Sequence, residues 1–200
     1  MIIRSFIAIK LPEGIKRSIT DLITRLKTLG TDVTWVSAEK IHLTLKFLGN
    51  TDDSLLPKIK ESMSKKLSHY NAFYIKIVGV GCFPSERRPR VLWVGIENSD
   101  ALKDMQKDID SGVSEFGFAL EDRPFSPHLT IGRVRSQRGI AELLRRFAEF
   151  RTTDFGIVEA TSIYIMKSEL KPAGAEHTSI AEIPIGRGRN DVQGIEQRTE

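Results

Sequence analysis

The chain has 200 residues, of which 40% are hydrophobic and 28% charged, so it can bury a sizeable core and is not globally disordered. Its single cysteine excludes an internal disulfide and a cysteine-rich zinc site, and no apolar run approaches the roughly 18–20 residues of a membrane span. Lysine and arginine outnumber aspartate and glutamate by 30 to 26, which permits a polyanionic partner without demanding one. Charges at Arg4 and Lys10 disfavour a secretory signal, so we expect a cytoplasmic protein without a membrane anchor.

The first half of the chain alternates strand and helix patterns. β-branched and aromatic residues predict a strand over 2–9, and an apolar stripe predicts a helix over 13–29 that ends at Gly30. An alternating strand then follows Ile41. A second amphipathic helix carries Leu56, Ile59, Met63 and Leu67, and a strand is predicted over 72–80.

The second half repeats this order of elements. It gives a strand over 90–96, a helix that ends at Gly117, a strand in 124–134, a helix near 140–147 and a strand-rich stretch over 155–166. His42 and His128 lie 86 positions apart, as do Arg4 and Arg90.

This order predicts two interleaved βαβαβ repeats, roughly residues 2–84 and 88–170. The expected fold class is α+β, with two pseudo-symmetric lobes of antiparallel-rich sheet. Each repeat is expected to bury one sheet face under its own two helices, which leaves helices on the outer faces and a central groove. Residues 160–185 are expected to add two strands joined by a turn. The predicted domain is 1–186, and the polar residues 187–200 are expected to form a mobile tail.

One tetrapeptide pattern occurs in both repeats: His42-Leu43-Thr44-Leu45 and His128-Leu129-Thr130-Ile131. Chance would give one such match about 0.04 times in a chain of this composition. Because side chains alternate along a strand, each histidine shares a face with the threonine two positions later.

Two imidazoles and two hydroxyls facing one groove suit phosphodiester cleavage. One imidazole can accept a proton while the other donates one, and threonine hydroxyls can hold phosphate oxygens. No third metal ligand lies at coordinating spacing near either histidine, so neither a metal nor another cofactor is expected.

The doubled His-x-Thr-x pattern resembles the two-histidine phosphoesterase superfamily. Five flanking stretches are similar to its RNA 2′,3′-cyclic phosphodiesterase family, also called 2′-5′ RNA ligases: RSFIAIKLP, HLTLKFLGN, RRPRVLWVG, RPFSPHLTIGRV and IMKSELKPAGAEHTSI. The resemblance implies metal-independent hydrolysis of RNA 2′,3′-cyclic phosphate ends to 2′-phosphates. Its implied substrates are RNA ends or small oligonucleotides, tRNA fragments among them.

The resemblance also implies a role for each motif residue. His42 is expected to be the proton donor, His128 the proton acceptor that activates water, and Thr44 and Thr130 the phosphate anchors. The resemblance favours phosphate binding by Arg133 as well. Strict alternation, however, places Arg133 on the Leu129 face, away from the groove, unless a bulge or the end of the strand redirects it.

Alternation and position in the chain also give expectations for residues near the motifs. Alternation places Lys46 on the His42 face, where it either adds positive potential or is simply solvated, and Phe47 on the core side. A base could stack on Trp35, whereas Trp93 in mid-strand is expected to be core.

Basic and imidazole groups also occur outside the motifs. The arginine-rich loop 86–90 either contacts an RNA backbone or is a solvated turn. His69 and His177, which lack the threonine partner, are expected to be ordinary surface or turn residues.

Two further functions stay open. The same site could ligate RNA ends reversibly through 2′-5′ linkages, with a 5′-hydroxyl replacing water. Alternatively, the groove could bind RNA ends without cleaving them. A monomer is expected, because the groove already uses both lobes.

Overall fold

In the computed structural model, which describes residues 1–97, 99–171 and 174–185, the chain forms nine strands and four α-helices. The strands are β1 (Ile2–Lys10), β2 (Val33–Trp35), β3 (His42–Asp52), β4 (Phe73–Phe83), β5 (Val91–Ile96), β6 (His128–Val134), β7 (Asp154–Ala160), β8 (Ser162–Lys171) and β9 (Gly174–Pro184). The helices are α1 (Glu13–Lys27), α2 (Leu56–Lys66), α3 (Asp100–Ser114) and α4 (Ile140–Ala148). None of these helices is long and apolar enough to cross a membrane.

Local patterns explain the helices. α1 buries Ile15, Ile19, Leu22, Ile23 and Leu26, the stripe that predicted it. The chain leaves this helix through Gly30, whose φ of +62° is a left-handed conformation that favours glycine. α3 begins after Ser99, whose Oγ accepts a hydrogen bond from the Leu102 N–H. The three-residue strand β2 was not predicted from the sequence.

All strand pairs are antiparallel and form two sheets, which confirms the predicted α+β class. The four-stranded sheet has the order β3-β1-β8-β9, and the five-stranded sheet has the order β2-β6-β5-β4-β7. The first half of the chain supplies β1 and β3 to one sheet and β2 and β4 to the other. Each sheet therefore contains strands from both halves.

Each sheet is covered by one helix from each repeat, which corrects the expectation that each repeat covers a sheet with its own two helices. α2 and α3 pack against each other and lie on the four-stranded sheet, whereas α1 and α4 meet on the five-stranded sheet. One continuous core lies between the helices and the two sheets.

A second, smaller apolar cluster lies on the opposite face of the four-stranded sheet. It consists of Phe6, Ala8 and Met166, with Tyr164 packed at its side. These residues are cross-strand partners, since Phe6 pairs with Met166 and Ala8 with Tyr164. We call this helix-free side the groove face of the sheet. The hairpin of β8 and β9 matches the predicted pair of C-terminal strands, while the expected tail 187–200 and positions 172–173 of the expected turn lie outside the described residues.

Candidate active site

The first tetrapeptide lies on β3, an edge strand of the four-stranded sheet. His42 pairs with Lys10 and Thr44 pairs with Ala8, so both side chains lie on the groove face. Leu43, between them, is 1% exposed and belongs to the main core. Alternation along the strand thus holds within the tetrapeptide.

The second tetrapeptide has the same arrangement on β6 of the five-stranded sheet. His128 pairs with Gly95 and Thr130 pairs with Trp93, whereas Leu129 is fully buried. We call the side of this sheet that carries His128 and Thr130 its groove face.

The two motif strands are neighbours where the sheets meet. β3 and β6 contact each other across the two sheets. Trp35 of β2 pairs with Gly132 of β6, and the chain then passes through a short 3₁₀ helix, Ala38–Lys40, to begin β3 at His42. This short connection therefore leads from the strand that pairs with the His128 strand to the start of the His42 strand.

Both imidazoles are held by the same kind of hydrogen bond, between Nδ1 and a backbone carbonyl oxygen. Nδ1 of His42 lies 2.9 Å from the carbonyl oxygen of Lys40, and Nδ1 of His128 lies 2.8 Å from that of Ser126. Because a carbonyl oxygen can only accept, Nδ1 carries the proton in each ring. Nε2 is then the atom that remains to gain or lose a proton on both histidines.

His42 lies in a largely aromatic and desolvated environment. Its ring stacks on Phe6 at 4.6 Å between centroids, and the edge of His177 approaches to 5.1 Å. Burial, and secondarily the His177 imidazole, lower the pKa of His42 from 6.5 to about 4, although the bond to Lys40 acts in the opposite direction. His42 is therefore neutral at neutral pH in the unliganded protein.

His128 also contacts an aromatic ring, at the edge rather than the face. Phe83 meets it in a T-shaped contact with 5.0 Å between centroids, and Phe83 in turn contacts Trp93 at 5.3 Å. The indole of Trp93 packs over Gly81, where a Cβ atom would come within 2.3 Å of the ring. This glycine thus leaves room for a tryptophan beside Thr130.

Each motif strand is interrupted by a β-bulge three residues after its histidine. On β3, Ile7 pairs with Lys46 and Ala8 with Thr44, which leaves Leu45 as the extra residue. On β6, Leu92 pairs with Gly132 and Trp93 with Thr130, which leaves Ile131 as the extra residue. A bulge reverses the faces of the residues that follow it, as far as the next irregularity in the strand pairing.

The bulge on β3 overturns two expectations. Lys46 does not lie on the His42 face: its side chain is 3% exposed, and Nζ lies 2.5 Å from Asp110 and 3.1 Å from Glu121. Phe47 does not pack in the core: it pairs with Phe6 on the groove face and is 63% exposed. Both predictions were wrong because they assumed unbroken alternation.

The bulge on β6 directs Arg133 to the groove face. Arg133 pairs with Val91, which lies two residues from Trp93 on the regular strand β5, and Trp93 pairs with Thr130. Arg133 therefore shares the face of His128 and Thr130, and it is exposed. Phe47 and Arg133 occupy equivalent positions, five residues after the two histidines.

The two tryptophans exchange their expected places. Trp35 packs against the main core, and Trp93 lies on the groove face. The Nε1 atom of Trp93 is buried without a hydrogen-bond partner among the described residues. The expectation for Trp93 failed because the faces of β5 follow from its pairing with β6, which sequence does not reveal.

His177 is the residue that sequence reasoning missed. Its ring lies 5.1 Å from both Phe6 and His42, although β9 is the far edge strand from β3, so the four-stranded sheet must curl. Burial and the nearby Lys40 lower its pKa. The predicted hairpin was the only signal for His177, and it does not specify the curl. His69 lies near Asp108 instead, with its side chain 65% exposed.

Residues 1–97, 99–171 and 174–185 contain no group of three or more His, Cys, Asp or Glu side chains that could hold a metal ion. The groove face does carry positive charge. Nζ of Lys10, the partner of His42, lies 3.9 Å from the centroid of the Tyr164 ring.

Comparison with known proteins identifies the family of the chain. The family model described as the 2′-5′ RNA ligase superfamily matches residues 15–170. The chain belongs to the 2′-5′ RNA ligase superfamily. Two archaeal relatives are each named RNA 2′,3′-cyclic phosphodiesterase. The protein of Methanothermobacter thermautotrophicus is 34% identical over 180 residues, covering 90% of this chain and 97% of the relative. That of Methanocaldococcus jannaschii is 37% identical over 179 residues, covering 90% and 99%.

Two solved structures have a similar fold. The protein TT0787 of Thermus thermophilus gives a TM-score of 0.75 at 24% identity, covering 91% of this chain and 97% of the other. E. coli LigT, solved in complex with 3′-AMP, gives a TM-score of 0.74 at 20% identity, covering 92% and 99%. At these identities the comparison establishes the fold alone.

Proposed function

We propose that the protein is an RNA 2′,3′-cyclic phosphodiesterase that opens terminal cyclic phosphates to 2′-phosphomonoesters, without a metal ion. Membership of the superfamily and the names of the curated relatives support the reaction. The observation that carries the proposal is the matched pair of imidazoles, each with Nδ1 bound to a backbone carbonyl and Nε2 available.

In the proposed mechanism, Nε2 of His128 takes a proton from water as the water oxygen attacks phosphorus. The bond between phosphorus and the 3′-oxygen breaks, and Nε2 of His42 gives its proton to that oxygen. The products are a 3′-hydroxyl and a 2′-phosphate, so atoms and charge balance. The hydroxyls of Thr44 and Thr130 donate hydrogen bonds to the non-bridging oxygens, and the guanidinium of Arg133 offsets their negative charge.

The low pKa of His42 constrains how it becomes an acid. A phosphodiester anion beside Nε2 favours the imidazolium form, so His42 gains its proton when substrate binds. The pH profile of kcat, which reports the complex, should therefore retain activity to higher pH than that of kcat/KM, which reports the free enzyme.

The decisive assay incubates the protein with a nucleoside 2′,3′-cyclic phosphate in excess chelator and identifies the product. We expect a 2′-phosphate. His42→Ala and His128→Ala should each lower turnover about 10²–10⁴-fold, because each removes one proton-transfer group. His69→Ala is the matched control, since its exposed ring lies outside the site. Full activity of either motif variant, or activity only with added metal, would refute the proposed chemistry.

Ligation is a second candidate, favoured by the description of the matching family. A 5′-hydroxyl in the position of the attacking water would give a 2′-5′ linkage through the same proton transfers. Incubation of RNA fragments, including tRNA halves, that carry 2′,3′-cyclic phosphate and 5′-hydroxyl ends would separate the two reactions. Joined product that is lost in His42→Ala would support ligation. RNA binding that survives loss of both histidines, without turnover, would instead indicate a non-catalytic module.

A further inference from the structure

A cleft lined by four arginines opens at the end of the five-stranded sheet. Arg87, Arg88 and Arg90 come from the connection between β4 and β5, and Arg135 follows β6. The cleft has a volume of about 510 Å³. We call it the arginine cleft.

The arginine cleft keeps its positive charge. Within the described part of the chain, no carboxylate oxygen lies within 4.0 Å of these four guanidinium groups. Glu86, in the same loop, instead pairs with Arg151 outside the cleft. Arg145 and Arg146 of α4 are likewise paired, with Glu142. A concave surface with four uncompensated cations concentrates polyanions.

The two walls of the cleft are fixed to each other and to the motif strand. The Val134 N–H donates to the carbonyl oxygen of Arg90 at 3.0 Å, which joins the loop to the end of β6. Nε of Arg135 donates to Oγ1 of Thr34 at 2.8 Å, which restrains this side chain in the cleft wall. The cationic surface is thus anchored to the sheet.

The arginine cleft continues the strand that carries His128, Thr130 and Arg133. Arg135 follows Thr130 by five residues, or about 16 Å along a strand at roughly 3.3 Å per residue. That distance is too long for one nucleotide bound at Thr130 to cover with its own phosphate. The next backbone phosphates of an oligonucleotide could reach it.

We propose that the arginine cleft binds the backbone phosphates of the RNA strand whose cyclic phosphate end lies at His42 and His128. This inference rests on the proposed function. A 2′,3′-cyclic phosphate is on the last nucleotide, so only the 5′ side of the strand can extend into the cleft. None of the described residues that line the cleft is aromatic, so the cleft contacts phosphates rather than stacking bases and carries no sequence preference.

The test compares a nucleoside 2′,3′-cyclic phosphate with an oligoribonucleotide that ends in the same group. The variant is Arg87→Ala/Arg88→Ala, two exposed positions, and Arg25→Ala on α1 is the matched control. We expect the double variant to raise KM for the oligoribonucleotide at least about 10-fold more than for the nucleoside, and to lower the salt dependence of oligoribonucleotide binding by about one unit of slope per lost phosphate contact. Arg25→Ala should change neither.

An equal rise in KM for both substrates, or no rise in KM for the oligoribonucleotide, would overturn the proposal that the arginine cleft binds the RNA backbone. If the wild-type protein turns over neither substrate, the proposed function fails, and the cleft is judged by fluorescence anisotropy with the same oligoribonucleotide. Binding that is weaker in Arg87→Ala/Arg88→Ala than in Arg25→Ala supports the cleft, and equal binding by both refutes it. Thermal unfolding of each variant shows whether the fold is intact.

Discussion

Replacing His177 with phenylalanine should raise the pKa of His42. The two rings are 5.1 Å apart, and two unit charges at this distance repel by about 3 kcal/mol at an effective dielectric constant near 20. His177 is only partly buried, so solvent reduces this to about half, or roughly one pKa unit. Phenylalanine preserves the shape and keeps His42 buried. We therefore expect the pKa to rise from about 4 to roughly 5 and to stay below 6.5.

The measurement is an NMR titration of the His42 ring in wild type and in His177→Phe. His69→Phe, which changes a histidine with no contact to His42, is the control and should leave the titration unchanged. An unchanged or lower pKa in His177→Phe would mean that His177 does not oppose the charge on His42. Because the readout needs no substrate, it holds whatever the protein catalyses.

Three further outcomes follow from other contacts. Lys46→Met should lower the free energy of unfolding by about 3 kcal/mol in denaturant titrations, since it leaves Asp110 without its cation; a loss below about 1 kcal/mol would contradict this. Gly81→Ala should lower the free energy of unfolding by about 1–3 kcal/mol and shift the fluorescence of Trp93, because the new Cβ would lie 2.3 Å from the indole. Unaltered emission would contradict this contact. The folded-state pKa of His42 lies below its unfolded value of 6.5. Its contribution to the free energy of unfolding should therefore be fully present above pH 6.5 and fall by about 3 kcal/mol as the pH drops towards 4. His42→Phe should remove this pH dependence of the free energy of unfolding. The same dependence in wild type and variant would show that His42 is not its cause.

The sequence predicts the helices and the strands of this fold well because their signals are local. The stripe of α1 and the alternation within each tetrapeptide need no information from distant residues. The pairing of strands is different, since β1 and β8 are far apart in the chain. That is also why His177 could not be assigned to the site, and why the helices were placed on the wrong sheets.

Within the site, the limit of prediction falls at one position in each motif. His42, Thr44, His128 and Thr130 follow from alternation, and their shared faces are confirmed. Three residues after each histidine, a bulge reverses the pattern. A bulge depends on how neighbouring strands match in length and twist, so the hydrophobic pattern of a single strand does not reveal it.

The central position of β1 also affects how the protein can be made. Arg4 pairs with Asn50 on one side and with Ser168 on the other. At translation rates of about 5–20 residues per second, the ribosome needs roughly 10–30 s after Arg4 to reach Ser168. During that time the edge of β1 that will pair with β8, which contains Phe6, Ile7 and Ala8, has no partner strand. The first strand to leave the ribosome is thus among the last to be enclosed, and a nascent chain that stalls before β8 presents an open edge to its neighbours.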